Sequence, residues 1–279
     1  MDIYKEYEKD SKYIDVEKEY YIFTVNGGAI WRGKSGKYYV VTCPVDGIYE
    51  AESGATLKKG IIRWPISVED YDAQNESSAY FHTYGDGVIY KVRGRLLLNT
   101  LGDATILYVK EVLESDVHGT KLDKKQEKYH QPIQLEDDVM GLLNLKKEEG
   151  LFEGTYDFNR HTITIYIEVE WNSKRTWKKP LAVARDFITN INERDEAARM
   201  FAASVDELLE AANECCEDED IAFTEVEHFS DYLKNRMKYI FVNQNGSYTI
   251  GYDDGGIFGG HEIDVDVDKK GNFKEADVR

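Results

Sequence analysis

The densest grouping of chemically capable side chains is the segment Tyr252-Asp-Asp-Gly-Gly-Ile-Phe-Gly-Gly-His-Glu-Ile263. Asp253, Asp254 and His261 bring two carboxylates and an imidazole to one turn, the groups a metal or anion site would use. Gly255, Gly256, Gly259 and Gly260 permit positive φ and a close backbone approach. The same residues also suit a purely structural turn, because turns themselves call for Gly and Asp. In that case the carboxylates cap backbone amides, and Ile257 and Phe258 pack inward. The segment is not a phosphate loop: no Gly-Lys-Ser/Thr follows, and a strand follows where a helix should. Asp253, Asp254 and His261 are carried forward as ligand or partner candidates.

A second grouping is Asp264, Asp266, Asp268 and Glu275, whose offsets match positions 1, 3, 5 and 12 of a calcium loop. The sixth position is Lys269, where that loop needs glycine for its sharp turn, and the flanks read as strands. Strand alternation puts the three aspartates on the solvent face and Ile263, Val265 and Val267 inside. The histidines at 82, 118, 130, 161, 228 and 261 never fall in paired metal spacing, and Cys215-Cys216 lacks a second Cys/His pair. No metal site and no cofactor is expected. The acidic run Glu217-Asp-Glu-Asp220 beside the cysteines would raise a thiol pKa rather than activate it. No Gly-x-Ser-x-Gly and no Rossmann glycine pattern occurs, so no motif supports catalysis. Trp171 and Trp177 flank Asn172-Ser-Lys-Arg-Thr176, a basic-aromatic stretch that reads either as a partner or ligand surface or as packing at a domain edge.

The elements that position these residues fall into two halves. Among the 279 residues, tyrosine occurs 20 times and proline 4 times, which suits half-exposed strands. Residues 1–19 read as a frayed helix or extended arm. Strand-like runs follow at Tyr20–Val25, at Lys37–Thr42 ending near Pro44, at Ile61–Trp64 stopping at Pro65, at Tyr80–Tyr84, at Val88–Arg93 and at Thr105–Leu113. Short strands broken by glycine turns indicate a mostly antiparallel barrel or sandwich over residues 1–131. The charged stretch 114–131 reads as a connector.

From Pro132 onward the pattern becomes α+β. His161–Val169 alternates as a half-buried strand. Helical spacing then appears in three blocks. The first has Pro180 at its first position, with Ala184, Phe187, Ile188 and Ile191. The second carries Ala198, Phe201, Val205, Leu208 and Ala212. The third is opened by a Thr224–Glu227 capping box. Strands return at Met237–Val242, Ser247–Tyr252 and Glu262–Val267. Residues 132–279 are thus expected to form an antiparallel sheet with about three helices.

The formal net charge is −18 and the pI about 4.8. Nucleic-acid affinity comes mostly from Lys/Arg on phosphates, so no nucleic-acid partner is expected, whereas a basic protein partner is. No apolar run approaches the ~20 residues that span a bilayer, and the first residues are polar rather than signal-like, so no membrane association is expected. Three cysteines, two of them adjacent, do not resemble a disulfide framework and point to the reducing cytoplasm. Oligomeric state is not fixed by these features.

The C-terminal half resembles the bacterial family known as domain of unknown function 2262, over roughly residues 135–279. Two patches carry the resemblance: Leu151-Phe-Glu-Gly154 with the strand and helices that follow, ending at Leu208-Leu209 and Asn213, and the 252–261 segment with its following strand and Glu275-Ala-Asp-Val278. Gly256, Ile257 and Gly259 stand where the family's hairpin has acidic, leucine and tryptophan positions, and Glu214-Cys-Cys216 replaces an aromatic helix end. The resemblance implies an α+β fold and no established activity. Together these features read as a non-catalytic protein-binding module, of which an immunity-type protein docking a basic partner is one form. The alternative is an enzyme or small-ligand-binding protein with an inter-domain pocket at the 252–263 hairpin, with Glu153 converging on it.

Overall fold

The computed structural model describes residues 3–9, 13, 16–25, 29–32, 38–57, 60–69, 84–97, 105–215, 223 and 225–279. The chain divides into two compact units, Met1–Gln131 and Pro132–Arg279. Their mixed α+β character is as expected, with the first half sheet-rich and the second a sheet with helices.

The first unit is a barrel. Helix α1 (Ile3–Lys9) precedes strands β1 (Lys18–Thr24), β2 (Ala29–Arg32), β3 (Tyr38–Glu50), β4 (Thr56–Leu57), β5 (Gly60–Ser67), β6 (Ile89–Leu96) and β7 (Thr105–Ser115), and α2 (Asp123–His130) follows. The strands run β1–β6–β7–β5–β3, and β1 also pairs with β3, so the path closes on itself. Only the β5–β7 pair in that ring is parallel. Setting aside the short β2 and β4, this is a five-stranded Greek-key barrel of OB-fold connectivity. Inward alternation buries Tyr20, Ile22, Cys43, Val45, Ile48, Ile62, Val92 and Leu107 as its core.

Neither Pro44 nor Pro65 ends its strand, contrary to the sequence expectation. Pro44 lies between the end of the β2 ladder at Thr42 and the start of the β1 ladder at Val45. Pro65 lies beyond the β7 ladder, which stops at Arg63. Among the described residues each proline therefore has a partner strand on one side only, the position a residue without an N–H tolerates. The stretch read as a connector contains α2. Asp123 accepts from the Gly119 and Thr120 amides and the Thr120 hydroxyl, and Tyr129 packs edge-on against Phe23 and donates to Asp86. The run expected at Tyr80–Tyr84 lies outside the described residues except for Tyr84.

The second unit is one eight-stranded sheet with helices on one face. Its strands are β8 (Gln134–Asp137), β9 (Gly141–Lys146), β10 (Leu151–Phe158), β11 (His161–Glu168), β12 (Met237–Val242), β13 (Tyr248–Asp253), β14 (Glu262–Val267) and β15 (Phe273–Val278), adjacent in chain order. Every pair is antiparallel except β11–β12, which is parallel because a long crossover intervenes, with four helices among the described residues: α3 (Lys174–Thr189), α4 (Ile191–Ala203), α5 (Asp206–Cys215) and α6 (Val226–Tyr232). Ile163, Ile165, Ile167, Ile240, Val242, Ile250, Ile263, Val265 and Val267 point to the helices and are buried.

Among the described residues four helices stand where about three were expected. The second expected helix begins at Ile191, after Asn190, and stops at Ala203, so its apolar stripe is split between α4 and α5. Pro180 is not a first helical residue but lies inside α3. The helix extends before it because Trp177 is anchored, its ring edge-on to Phe152 and its indole N–H donating to the Glu170 carbonyl at 2.8 Å. Thr224, the expected cap of the last helix, lies outside the described residues. No helix among the described residues is long and apolar enough to cross a membrane.

Candidate functional site

The helix-free face of the second sheet carries the site. Strand register aligns two rows of outward residues across it. One runs Glu153, Tyr166, Phe241, Thr249, Asp266 and Glu275; the next runs Thr155, Thr164, Tyr239, Gly251, Asp264 and Asp277. At their centre Tyr166, Tyr239, Phe241, Thr249, Asp264 and Asp266 line a depression of about 700 Å³, with Lys274 and Arg279 at its edge. The rings of Tyr166 and Tyr239 lie 6.1 Å apart, and those of Tyr166 and Phe241 6.3 Å.

Gly251 makes this arrangement possible. A Cβ there would stand 2.2 Å from the Tyr239 ring, so only glycine lets that ring lie across β13. From this position the Tyr239 hydroxyl donates to Asp264 Oδ1 at 2.6 Å. Thr249 Oγ1 donates to Asp266 Oδ1 at 2.5 Å, and Arg279 reaches Asp266 at 2.9 Å and Asp264 at 3.7 Å. Asp264 is thereby buried although it faces away from the helices. Burial holds its carboxyl above the usual range, against the opposing pull of the Tyr239 hydrogen bond and Arg279. Burial first, and then the bond to Asp264, pushes the Tyr239 phenol up as well.

Asp253, Asp254 and His261 lie in the β13–β14 hairpin, and its carboxylates are occupied by the hairpin itself. Asp254 accepts from the amides of Gly256 (2.9 Å), Phe258 (2.7 Å) and Gly260 (3.0 Å), and Asp253 accepts from Gly255 at 2.8 Å. Burial alone would raise the Asp254 carboxyl, but those three donors and nearby His261 together bring it below its ordinary value. The Tyr232 hydroxyl of α6 donates to the carbonyls of Asp254 and Gly255, tying the hairpin to the helix layer. Ile257 is buried, Phe258 half-buried and His261 exposed. Asp254→Ala is expected to strand three amide donors and lower stability by about 1–3 kcal/mol, measured by urea unfolding at pH 7. Because the folded carboxyl titrates low, its contribution is present above the ordinary aspartate pKa and lost as pH falls through the folded value. The difference between variant and parent should therefore shrink on acidification.

Glu153 does not converge on the hairpin. It shares the row of Tyr166 and Thr249, three strands and several residues from Asp253. Trp171 and Trp177 lie at the opposite end of the strands from the hairpin, beyond the C-terminal end of β11. Both are buried, Trp171 beneath the Lys147 ammonium and Trp177 against Phe152. Of the calcium-like set, Asp264, Asp266 and, at its border, Asp268 line the depression. The Asp268 carboxylate is taken up by the amides of Lys270 and Asn272 within its own turn. No metal-binding group of three or more His, Cys, Asp or Glu side chains occurs among the described residues.

The model of a family described as "Uncharacterized protein conserved in bacteria (DUF2262)" matches residues 137–278, just over half of the chain. The chain belongs to this DUF2262 family. The DUF2262 segment begins at the last residue of β8 and ends at the last residue of β15, so it holds strands β9 to β15, the helices α3 to α6, the hairpin and all of the depression's lining but Arg279. No curated protein matches this DUF2262 chain. Among solved structures it is similar to a deletion mutant of the single-stranded DNA binding protein from Thermus aquaticus. The identity is 11%, covering 54% of this chain and 74% of that one, and the TM-score is 0.21. At that score the likeness supports no conclusion about DUF2262.

Proposed function

We propose that this DUF2262 protein is a non-catalytic binding module that docks a cationic side chain of a basic protein partner on the helix-free face of its second sheet. The observation that carries this is the placing of three aromatic rings, Tyr166, Tyr239 and Phe241, beside two carboxylates, Asp264 and Asp266, in one depression. Aromatic faces and carboxylates together favour an ammonium or guanidinium. The chain's own Arg279, half-exposed, already lies against both carboxylates and marks the geometry a partner's guanidinium would meet. Charge favours the same half: residues 132–279 carry 32 acidic and 17 basic side chains, whereas residues 1–131 carry 21 and 18. An immunity-type protein that neutralises a basic toxin would use such a surface.

Two other placements are less favoured. The face that OB-type barrels present to ligands on their second and third strands, here β3 and β5, carries α1, whose Tyr7 packs on Tyr38 of β3 and on Tyr108 of the neighbouring β7. The hairpin alternative loses its acid–base groups to backbone bonding.

The test is titration of the whole protein with a short Arg-Gly repeat peptide, followed by NMR. Saturable shifts at residues 164–166, 239–241 and 264–266 are expected, weakening with salt. Asp264→Asn with Asp266→Asn should reduce affinity at least ~tenfold, and Arg279→Gln should not reduce it. Shifts scattered over the whole acidic surface, or unchanged affinity in the double variant, would sink the proposal. Asp264→Asn carries a further expectation. A raised carboxyl favours folding below the ordinary aspartate pKa, and that support is lost as pH rises through the folded value. At pH 7 the ionised group therefore opposes folding, and Asp264→Asn should raise the urea midpoint there while weakening the peptide. The stabilisation should vanish in acid.

A further inference from the structure

A second depression, of about 420 Å³, lies at the end of the same sheet, between α3, α4 and the β12–β13 and β14–β15 turns. Four cations converge on it from three elements: Lys179 of α3, Arg194 of α4, and Lys269 and Lys270 of the last turn. In a half where acidic side chains outnumber basic ones nearly two to one, composition alone would not gather them. Two carboxylates, Asp186 and Asp268, also line it, and both are engaged. Asp186 accepts from Arg194 at 3.0 Å and from Asn190. Asp268 accepts from the Lys270 and Asn272 amides and pairs with Lys274 at 3.1 Å.

The cations are held differently from one another. Lys179 donates to the Asn245 carbonyl, its stem crossing Gly246, where a Cβ would stand 2.7 Å from Lys179 Cε. Gly246 has φ +87°, so the turn demands glycine on conformational grounds as well. Arg194 is oriented by its ion pair with Asp186. The exposed ammonium groups of Lys269 and Lys270 form no ion pair among the described residues.

We infer that this depression binds a phosphate-class oxyanion. A fixed guanidinium supplies directed donors, and the flexible lysines supply charge that closes over the anion. The anion is either free phosphate or a phosphate monoester, since the cations would recognise the same terminal group in both. This inference is independent of the cationic-partner proposal: the two depressions share only Tyr248 and Asp268 at their border.

The whole protein should be titrated with inorganic phosphate and, separately, with ribose 5-phosphate, each against sodium chloride of matched ionic strength. Saturable NMR shifts at residues 245–248 and 268–272 are expected with phosphate but not with chloride. Tighter binding of the ester would identify an esterified ligand, and equal or weaker binding the free anion. Lys269→Gln with Lys270→Gln, both exposed and outside the core, should weaken binding about tenfold or more with an otherwise unchanged spectrum. Linear shifts equal to those in chloride, or full affinity in the double variant, would overturn the inference.

Discussion

Asp195→Ala is expected to lower the unfolding free energy of the C-terminal half by about 3–5 kcal/mol, the usual penalty for leaving a buried charge without its partner. Asp195 and Arg199 are four residues apart on α4, and both are buried. Arg199 Nε donates to Asp195 Oδ2 at 3.0 Å, and its Nη1 donates to the Ser230 carbonyl of α6 at 2.8 Å. The fully buried Tyr252 hydroxyl of β13 donates to Asp195 Oδ1 at 3.1 Å. One carboxylate thus ties two helices to the sheet at the first residue of the glycine-rich hairpin. Alanine would leave the guanidinium charged and half-partnered and the tyrosine without its side-chain acceptor. Asp195→Asn keeps an acceptor without the charge and should fall between alanine and the parent. The discriminating variant is Asp195→Leu with Arg199→Met, which removes both charges and should recover most of the loss in urea unfolding. If the double variant were as unstable as Asp195→Ala, packing rather than the stranded charge would explain the effect.

This network shows how unevenly the sequence discloses the molecule. Alternation at Ile163–Val169 and Ile263–Val267 placed those side chains on the helix face correctly, because one buried sheet face imposes a period of two. The hairpin's glycines and aspartates were legible as turn chemistry, and Gly255, Gly256, Gly259 and Gly260 all have positive φ. Tyr252, by contrast, looked like a flank of that motif and is in fact its anchor. Its partner Asp195 lies 57 residues away, and the Ser230 that Arg199 meets lies 31 residues from that arginine, contacts no local pattern encodes. The depression was missed for the same reason. Tyr166 occupies the outward parity of a strand whose inward parity was recognised, Tyr239 and Phe241 that of a strand read without a face, and aromatic residues at alternate positions were the available signal. What could not be read was the register that sets Tyr166 beside Phe241, since the β11–β12 pair closes over four helices. The prolines misled by a similar route: whether a strand survives Pro44 or Pro65 depends on which side has a neighbour, and that is decided by the closed topology rather than by nearby residues.

Barrel closure itself rests on two glycines, and Gly94→Ala should have the largest effect in the N-terminal half. A Cβ at Gly94 would stand 2.0 Å from the Tyr108 carbonyl oxygen, and one at Gly60 1.9 Å from that of Thr105. In both cases the obstacle is backbone of β7, held by its ladders to β6 and β5, so no flexible side chain can yield. Gly94 also lies at the register shift after Arg93, where the β6–β7 pair is already irregular. Relief would require β6 and β7 to separate, opening the ring beside the buried Val92 and Leu107. A loss of about 3 kcal/mol or more is expected, at the upper end for overpacking, because strand pairing and core are disturbed together. Gly119→Ala provides the control. Nothing lies within 4 Å of a Cβ there, and only its φ of +78° is unfavourable, so its cost should be about 1 kcal/mol. Amide hydrogen exchange on the whole protein separates the outcomes. Gly94→Ala should strip protection from residues 89–96 and 105–115 while residues 237–267 retain theirs, and Gly119→Ala should leave both sets protected. Retained protection across β6 and β7 in Gly94→Ala would mean that the two strands can part by more than an ångström without opening the barrel, which the close-packed ring of β1, β3, β5, β6 and β7 argues against.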